Sequence, residues 1–394
     1  MSYAPGELDL IDPQTHVDAW PLYDWLREEA PVYRDKNGIW CVSRYDDIVA
    51  ISMDPDTFTS QEGNRPLLPA DHSFIHLDGP AHRMRRGLVE RFFGPRSVNK
   101  MDQHLRDVTN ALIDNVIESG KTEFVDDVAA PLPARIMCEM TGIPVEMADE
   151  VRSWLDVFCR GGNGPEFVDE ATNDAFFKFG LLHMDLVEAQ RAEPKDNLLQ
   201  VWMDADVGGE KMNEDQLLFE HTMLMVGGSE TSRNAITSGL LQLARHPEQR
   251  AWLMEHPEGM NNAVEEIIRF ATPFISMSRV ATKDTELHGH AISEGDTVMM
   301  MYPPANRDPR KFDDPHTFDI RRKFKKNQLA FGYGRHFCLG ARLARAEVRV
   351  VVEETLRRMP DYQLDGEPSW AVSSFIQGIT KLPLKFTPGA RENG

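Results

Sequence analysis

The most restrictive feature of the sequence is a helical apolar pattern that runs from Asn213 to His246 and ends before Pro247. Asn213 and Gln216, three residues apart, predict a capping box at the start of this helix. About 33 helical residues extend for about 50 Å at 1.5 Å per residue. A helix of this length crosses the whole body of one large domain, so the pattern argues against several small domains.

The rest of the 394-residue chain is also dominated by helical patterns, including one at 166–191. Strand signals are few and short, and they lie at 38–42, 285–290, 297–302 and 382–387. The sequence therefore predicts a mainly α-helical fold with a small, segregated β portion, organised as a single domain over residues 1–394.

Charge and composition exclude several classes of protein. The formal net charge of −20 repels phosphate backbones, so nucleic acid is not an expected partner. No segment has the roughly 18 apolar residues of a membrane-spanning helix, and the first residues lack the basic and apolar regions of a signal peptide. The four cysteines are widely spaced, without a CxxC pair. We therefore expect a protein of the reducing cytoplasm without a membrane anchor.

The segment with the most chemical information is Phe331-Gly332-Tyr333-Gly334-Arg335-His336-Phe337-Cys338-Leu339-Gly340. Its glycines allow the backbone to pass close to a flat ligand. Cys338 lies at the start of a helical pattern, where the helix dipole and free N–H groups favour an anionic sulfur that can be an axial ligand of iron. The alternatives are a buried structural cysteine and a zinc site, although no further Cys/His pair has tetrahedral spacing.

Two charged pairs and one glycine pair have informative spacing. Glu266 and Arg269 are three residues apart, and His82 and Arg86 are four apart, so each pair shares a helix face. Each is either an exposed surface pair or a functional one. The adjacent glycines at 227–228 cost about 1 kcal/mol each relative to alanine in the middle of a helix. They predict either a kink or close packing against a neighbouring helix.

Together these segments resemble the cytochrome P450 superfamily, whose haem-binding pattern is Phe-Gly-x-Gly-x-His-x-Cys-x-Gly. All fixed positions of that pattern are present, the other motifs follow in the family's order, and the resemblance extends from Ile11 to Pro388. It implies the cytochrome P450 fold, with haem b between the long central helix and the helix after the cysteine loop. It also implies a haem-thiolate monooxygenase that hydroxylates a hydrophobic small molecule with dioxygen.

The resemblance also implies roles for individual residues. Cys338 would be the iron ligand, in a loop shaped by Phe331, Gly332 and Gly340. It implies that Glu230 and Thr231 handle protons and that Gly227 and Gly228 open the long helix. It also implies four residues that bind the haem propionates, which are His82, Arg86, Arg279 and His336.

Glu266 and Arg269 would form the buried ion pair of the family's ExxR motif. The family adds a third member, an arginine or histidine, from a later segment, and this chain has Thr317 at that position. His316 and Arg321 are candidate substitutes, so the third partner stays open.

By position, the resemblance places a set of apolar residues around the substrate. These are Leu67, Leu68, Phe74, Ile75, Val157, Phe158, Met223, Val226, Phe274, Ile275, Phe375 and Ile376. We therefore expect a hydrophobic substrate, such as a sterol or steroid, a terpenoid or a fatty-acid-like molecule. Core packing is the alternative for each residue.

The chain has no flavin or nicotinamide fingerprint, so the electrons must come from a separate partner. The resemblance implies an iron–sulfur ferredoxin with its reductase. The expected docking surface is the basic cluster of Arg335, Arg342 and Arg345, with Arg85 as a further candidate. Two alternatives keep the haem: a hydrogen-peroxide-dependent peroxygenase and a non-catalytic haem sensor. The acid–threonine pair argues against both.

Overall fold

The computed structural model describes residues 3–392, so two residues at each end of the predicted 1–394 domain lie outside the described part. The described residues are mainly α-helical, as predicted. The helices are α1 (Trp20–Glu28), α2 (Tyr45–Met53), α3 (Gly79–Val89), α4 (Pro95–Lys100), α5 (Asp102–Asp114), α6 (Pro131–Thr141), α7 (Ala148–Arg160), α8 (Glu170–Ala192), α9 (Leu198–Asp204), α10 (Glu214–Arg245), α11 (Pro247–Glu255), α12 (Met260–Ala271), α13 (Tyr302–Ala305) and α14 (Ala341–Arg358).

The strands are short and form small sheets. They are β1 (Val32–Arg34), β2 (Trp40–Val42), β3 (Phe58–Thr59), β4 (Lys121–Glu123), β5 (Ser276–Ala281), β6 (Thr285–Leu287), β7 (His290–Ile292), β8 (Thr297–Met301), β9 (Gln363–Leu364), β10 (Ser369–Trp370), β11 (Ile379–Lys381) and β12 (Pro383–Lys385). The main sheet has the order β1-β2-β8-β5-β3, in which only the β2–β8 pairing is parallel. A second sheet has the order β4-β12-β9, and β6–β7 and β10–β11 are two-stranded.

The long helix α10 lies at the centre of the helical body. The Asn213 side chain accepts a hydrogen bond from the Gln216 backbone N–H, and the Gln216 side chain accepts one from the Asn213 backbone N–H, so the predicted capping box is confirmed. The helix packs against α6, α12, α14 and α7. Residues from these helices form the largest apolar cluster, because each buries one apolar face against α10. No helix among residues 3–392 is long and apolar enough to cross a membrane.

Two predicted elements differ from the structure. The strand predicted at 285–290 is a hairpin of β6 and β7, because His288 and Gly289 have φ of 51° and 82° and form a tight turn between the strands. The helix predicted at 166–191 begins later, at Glu170, where the Asp169 side chain accepts a hydrogen bond from the amide of Thr172.

A buried ionic cluster connects α12 to the segment that precedes the cysteine loop. Both nitrogens Nε and Nη2 of Arg269 donate to the Glu266 carboxylate over 2.7 Å, and neither side chain is exposed. Arg322 Nε donates to the same carboxylate over 2.9 Å. Arg322 is therefore the third partner that the sequence left open.

Neither of the candidate substitutes, His316 and Arg321, forms an ion pair with Glu266. His316 is half-exposed and lies 3.1 Å from Asp24, and Arg321 is exposed and lies 3.9 Å from Asp319. The Arg322 side chain instead turns inward and also donates to the carbonyl oxygens of Asp313, Asp314 and Thr317.

Candidate functional site

The cysteine loop packs against α2 and leads directly into α14. The Cys338 amide donates to the Phe331 carbonyl oxygen over 2.8 Å, which closes the loop. Gly334 has a φ of 71°, and a Cβ atom there would lie 2.5 Å from the Ser52 carbonyl oxygen. Only glycine fits at this position without a shift of the backbone. The loop places Cys338, Phe331, Gly332 and Gly340 in the wall of a cavity of about 680 Å³.

The Cys338 sulfur is buried among groups that offset part of the cost of a thiolate. Burial raises the pKa of the thiol, whereas the backbone N–H groups of Gly340 and Ala341 and the cations Arg86 and Arg345 lower it. Within residues 3–392, no group of three or more His, Cys, Asp or Glu is arranged to hold a metal ion. Cys338 can therefore serve a metal that receives its remaining ligands from a cofactor.

Helix α10 forms the opposite wall of this cavity through Met223, Val226, Gly227 and Thr231. The Thr231 hydroxyl donates to the Gly227 carbonyl oxygen over 2.8 Å. The helix runs through both glycines without interruption, so the predicted opening is not present.

The two glycines have different surroundings. A Cβ atom on Gly228 would lie 2.5 Å from the Met137 sulfur of α6, whereas one on Gly227 would meet nothing within 4 Å. Gly228 therefore provides close packing between helices, the alternative interpretation of the pair, and Gly227 leaves space in the cavity.

Glu230 does not line the large cavity. Its carboxylate is paired with Arg233, which also donates to Asp156 over 2.9 Å, and these three residues line a second cavity of about 270 Å³. Burial and the neighbouring Asp156 raise the pKa of Glu230 well above its usual value, although Arg233 opposes this shift. A raised pKa makes this carboxyl group of α10 a better proton acceptor than an exposed glutamate.

The predicted cations gather at one side of the large cavity. Arg86, Arg279 and His336 line it. His82 is buried with its ring centroid 4.3 Å from that of His336. Neither ring nitrogen of His82 has a hydrogen-bond partner among the described residues. Burial and the neighbouring cations His336 and Arg86 lower the pKa of His82 to about 4.

These residues fit a flat cofactor that carries two carboxylates. Arg279 lacks a carboxylate partner among the described residues, and Arg86 has only Glu90 at 3.7 Å. Propionate groups would neutralise these cations and supply acceptors to the unpartnered His82. The fold and the cavity thus define a haem-thiolate protein, in which Cys338 would hold the iron and α10 would line the same cavity.

Comparisons with known proteins agree with this class. The cytochrome P450 family model matches residues 180–360. The chain is 35% identical over 395 residues to a steroid C26-monooxygenase of Mycobacterium tuberculosis, which covers 98% of this chain and 99% of the relative. It is 36% identical over 382 residues to a methyl-branched lipid omega-hydroxylase of Mycobacterium bovis, which covers 93% of this chain and 88% of the relative.

A solved structure of a Mycobacterium marinum cytochrome P450 in complex with pseudoionone is also similar, with a TM-score of 0.88 and 30% identity over 98% of this chain and all of the other. The chain belongs to the cytochrome P450 family. It is a monooxygenase with haem b as its cofactor, and the predicted fold, enzyme class and cofactor are confirmed.

Most of the predicted pocket residues line the large cavity. They are Leu68, Phe74, Ile75, Phe158, Met223, Val226, Phe274 and Phe375.

Four predicted pocket residues lie outside the cavity wall. Leu67 has a φ of 60°, and its side chain is 51% exposed. Ile275 packs in the apolar cluster of β8 and the N-terminal segment. Ile376 lines the second cavity, and Val157 lines neither.

Only some residues of the predicted docking surface are exposed to solvent and unpaired. Arg335 and Arg342 are exposed. Arg345 is paired with Glu265 and lies 4.4 Å above the Phe331 ring. Arg85 does not belong to a surface, because it is buried and donates to Glu220 over 2.6 Å.

Two ionisable residues of the cavity wall, Glu347 and Arg65, were not predicted from the sequence. Glu347 of α14 is buried, neither of its carboxylate oxygens has a hydrogen-bond partner among the described residues, and burial raises its pKa to about 8. Its position in the apolar stripe of Leu343 and Val350 was a usable signal. Arg65 is buried in the loop between β3 and α3, where no sequence pattern distinguishes it from a surface residue.

Proposed function

We propose that this monooxygenase hydroxylates an elongated hydrophobic substrate of the sterol or steroid, terpenoid or fatty-acid-like class at a carbon held beside Thr231. The observation that carries the proposal is the single cavity of about 680 Å³ shared by Cys338, Thr231 and apolar residues such as Phe158. The names of the two mycobacterial relatives, a steroid C26-monooxygenase and a lipid omega-hydroxylase, support oxidation near the end of a long apolar molecule.

The proposed roles follow from the positions of the side chains. Cys338 holds the haem iron, and His82, Arg86, Arg279 and His336 hold its propionates. Haem supplies the reductive activation of dioxygen and the transfer of one oxygen atom to a C–H bond. Glu230 holds a proton that Thr231 passes on through its hydroxyl group, and the apolar wall keeps bulk water out.

The electron donor in this proposal is an iron–sulfur ferredoxin with its reductase. Arg335 is exposed in the Cys338 loop and Arg342 at the start of α14, so they can attract an acidic partner to this surface. The cysteines are free in the structure, which supports a reducing compartment where such a ferredoxin works.

The first test is the absorption spectrum of the dithionite-reduced holoprotein under carbon monoxide. We expect a Soret band shifted far to the red, because a thiolate ligates the haem iron. Cys338→His should lose this band and retain some haem. Cys159→Ser, a change at another cysteine of the cavity wall, should keep it. A red-shifted band in Cys338→His would refute the ligand assignment.

The second test is turnover of sterols and methyl-branched lipids with ferredoxin, reductase and dioxygen, compared with hydrogen peroxide alone. We expect a hydroxylated product only with the electron-transfer partners. Equal rates with peroxide alone would instead identify a peroxygenase. Arg335→Glu and Arg342→Glu should raise the KM for ferredoxin, most strongly at low ionic strength. Arg191→Glu, a change at another exposed arginine, should leave it unchanged.

A further inference from the structure

Arg65 is a buried cation in the wall of the substrate cavity. Its side chain belongs to the loop between β3 and α3, and the residue is only 8% exposed. Its guanidinium carbon lies 4.4 Å from the centre of the Phe375 ring, and both residues line the large cavity. Stacking on an aromatic ring covers the face of a guanidinium group and leaves the N–H donors at its edge free to bind oxygen atoms.

Neutral oxygen atoms from three segments hold this guanidinium group in place. Nε donates to the Gly162 carbonyl oxygen over 2.9 Å, after α7. Nη1 donates to the carbonyl and hydroxyl oxygens of Ser276 over 2.8 and 3.0 Å, at the start of β5. Nη2 makes only a long bond of 3.4 Å to the Ser374 carbonyl oxygen. Because an arginine has five N–H donors, Nη2 retains capacity for a stronger acceptor.

Most buried arginines of this protein have a carboxylate partner, and Arg65 does not. Arg85 pairs with Glu220, and both Arg269 and Arg322 pair with Glu266. No ion pair joins Arg65 to an acidic side chain among residues 3–392.

Arg65 is a cation that no neighbouring acidic residue neutralises within the described part of the chain. Burial alone lowers the pKa of its side chain to about 9, so the group is still a cation at neutral pH. Asp71, an acidic residue in the same wall, is already paired with His76 over 2.8 Å. Two other buried arginines lack a carboxylate partner among the described residues: Arg279 lies among the cations that fit the propionates, and Arg307 lies between Trp20 and Phe270, outside the cavity.

An unneutralised cation facing an apolar cavity is costly unless a ligand brings the opposite charge. We propose that Arg65 binds the carboxylate of an amphipathic substrate, a long-chain or steroid carboxylic acid, and so selects acids over neutral molecules of the same shape. This inference rests on the proposed function and names the substrate class of that site. Arg65 would also set the register of the substrate, because it is held by three segments of the cavity wall.

The test is a titration of the ferric holoprotein with hexadecanoic acid and with hexadecanol, followed by the shift of the Soret band and by calorimetry. We expect the wild-type protein to bind the acid about 10-fold more tightly than the alcohol, which corresponds to about 1.4 kcal/mol. Arg65→Gln should remove this preference and leave the affinity for the alcohol unchanged. Arg65→Lys should retain part of the preference because it keeps the charge.

Three outcomes would overturn the inference. The first is equal affinity of the wild-type protein for the acid and the alcohol, which needs no variant to detect. Arg65→Gln could keep the preference for the acid, which would place the carboxylate elsewhere. Arg65→Gln could also lower the affinity for both ligands equally, which would give Arg65 only a structural role in joining the three segments. A failure to hydroxylate with ferredoxin would count against the proposed function, but it would leave the binding preference intact.

Discussion

Arg322 donates a hydrogen bond from Nε to Oε2 of Glu266 over 2.9 Å, and both side chains are buried. The same carboxylate binds Arg269, so the segment that precedes the cysteine loop is joined to α12. We expect Arg322→Ala to lower the free energy of unfolding by about 3 kcal/mol, because it breaks a buried ionic cluster. Urea titration of the holoprotein, followed by haem absorbance and circular dichroism, measures the change.

The neighbouring residue offers a matched control. Arg321 is 60% exposed and lies 3.9 Å from Asp319. Arg321→Ala should therefore change the free energy of unfolding by less than about 0.5 kcal/mol. Equal losses in the two variants would show that the cluster contributes no more than a surface charge.

Thr231 is the next residue to test, because its hydroxyl lies in the cavity wall and bonds to the Gly227 carbonyl oxygen. Thr231→Ala should spare haem binding and raise severalfold the share of electrons that ends in hydrogen peroxide, since proton delivery fails. The ratio of peroxide to hydroxylated product is the measurement.

Thr222 provides the comparison within the same helix. It also lines the cavity, and its hydroxyl donates to the Leu218 carbonyl oxygen over 2.8 Å. Thr222→Ala removes an equivalent bond from α10 and should leave the coupling of electrons to product unchanged. If both variants lost coupling to the same degree, the effect would come from the helix backbone and not from the position of Thr231.

The two central glycines of α10 should respond differently to a methyl group. In Gly228→Ala the new Cβ would lie 2.5 Å from the Met137 sulfur, and Met137 is buried. We expect a loss of about 1–3 kcal/mol from overpacking. Gly227→Ala meets no atom within 4 Å and should gain up to about 1 kcal/mol from helix propensity. Thermal unfolding of both holoproteins measures this difference, and equal stabilities would contradict the packing role of Gly228.

The sequence predicted those features that depend on local periodicity and capping. The bounds of α10 followed from the Asn213–Gln216 cap and from Pro247, because a capping box and a proline act over a single turn. The identity of the third ionic partner could not follow from such rules. Asp319 donates its amide to Glu266 over 2.9 Å and so turns the chain, which brings Arg322 inward and leaves Arg321 exposed.

Adjacent pocket residues show a similar limit. Phe274 lines the cavity, and its neighbour Ile275 packs in the N-terminal cluster, because successive residues of an extended segment point to different sides. Arg65 was unpredictable for another reason. Its burial depends on Gly162, Ser276 and Ser374, which are distant in sequence and meet only in the folded chain.

The last prediction concerns Glu347, a carboxyl group with no ion-pair partner among the described residues. Burial raises its pKa from 4.5 to about 8 in the folded protein. Between these values the unfolded chain releases the proton and the folded chain retains it, so stability falls as the pH rises. The loss is on the order of 3 kcal/mol at neutral pH. Glu347→Gln should therefore gain stability relative to wild type as the pH rises from about 5 to about 8.

Glu354 of the same helix should affect the pH dependence of stability in the opposite direction. Arg106 donates to it over 2.7 Å, and although burial opposes the shift, the hydrogen bonds from Arg106, Arg357 and Asn110 lower its pKa. Its contribution to stability is present above the unfolded pKa and is lost as the pH falls, so Glu354→Gln should cost most at neutral pH. Urea unfolding of both variants and the wild type across this range tests the pair. A difference between Glu347→Gln and wild type that did not change with pH would show that Glu347 titrates normally in the folded protein.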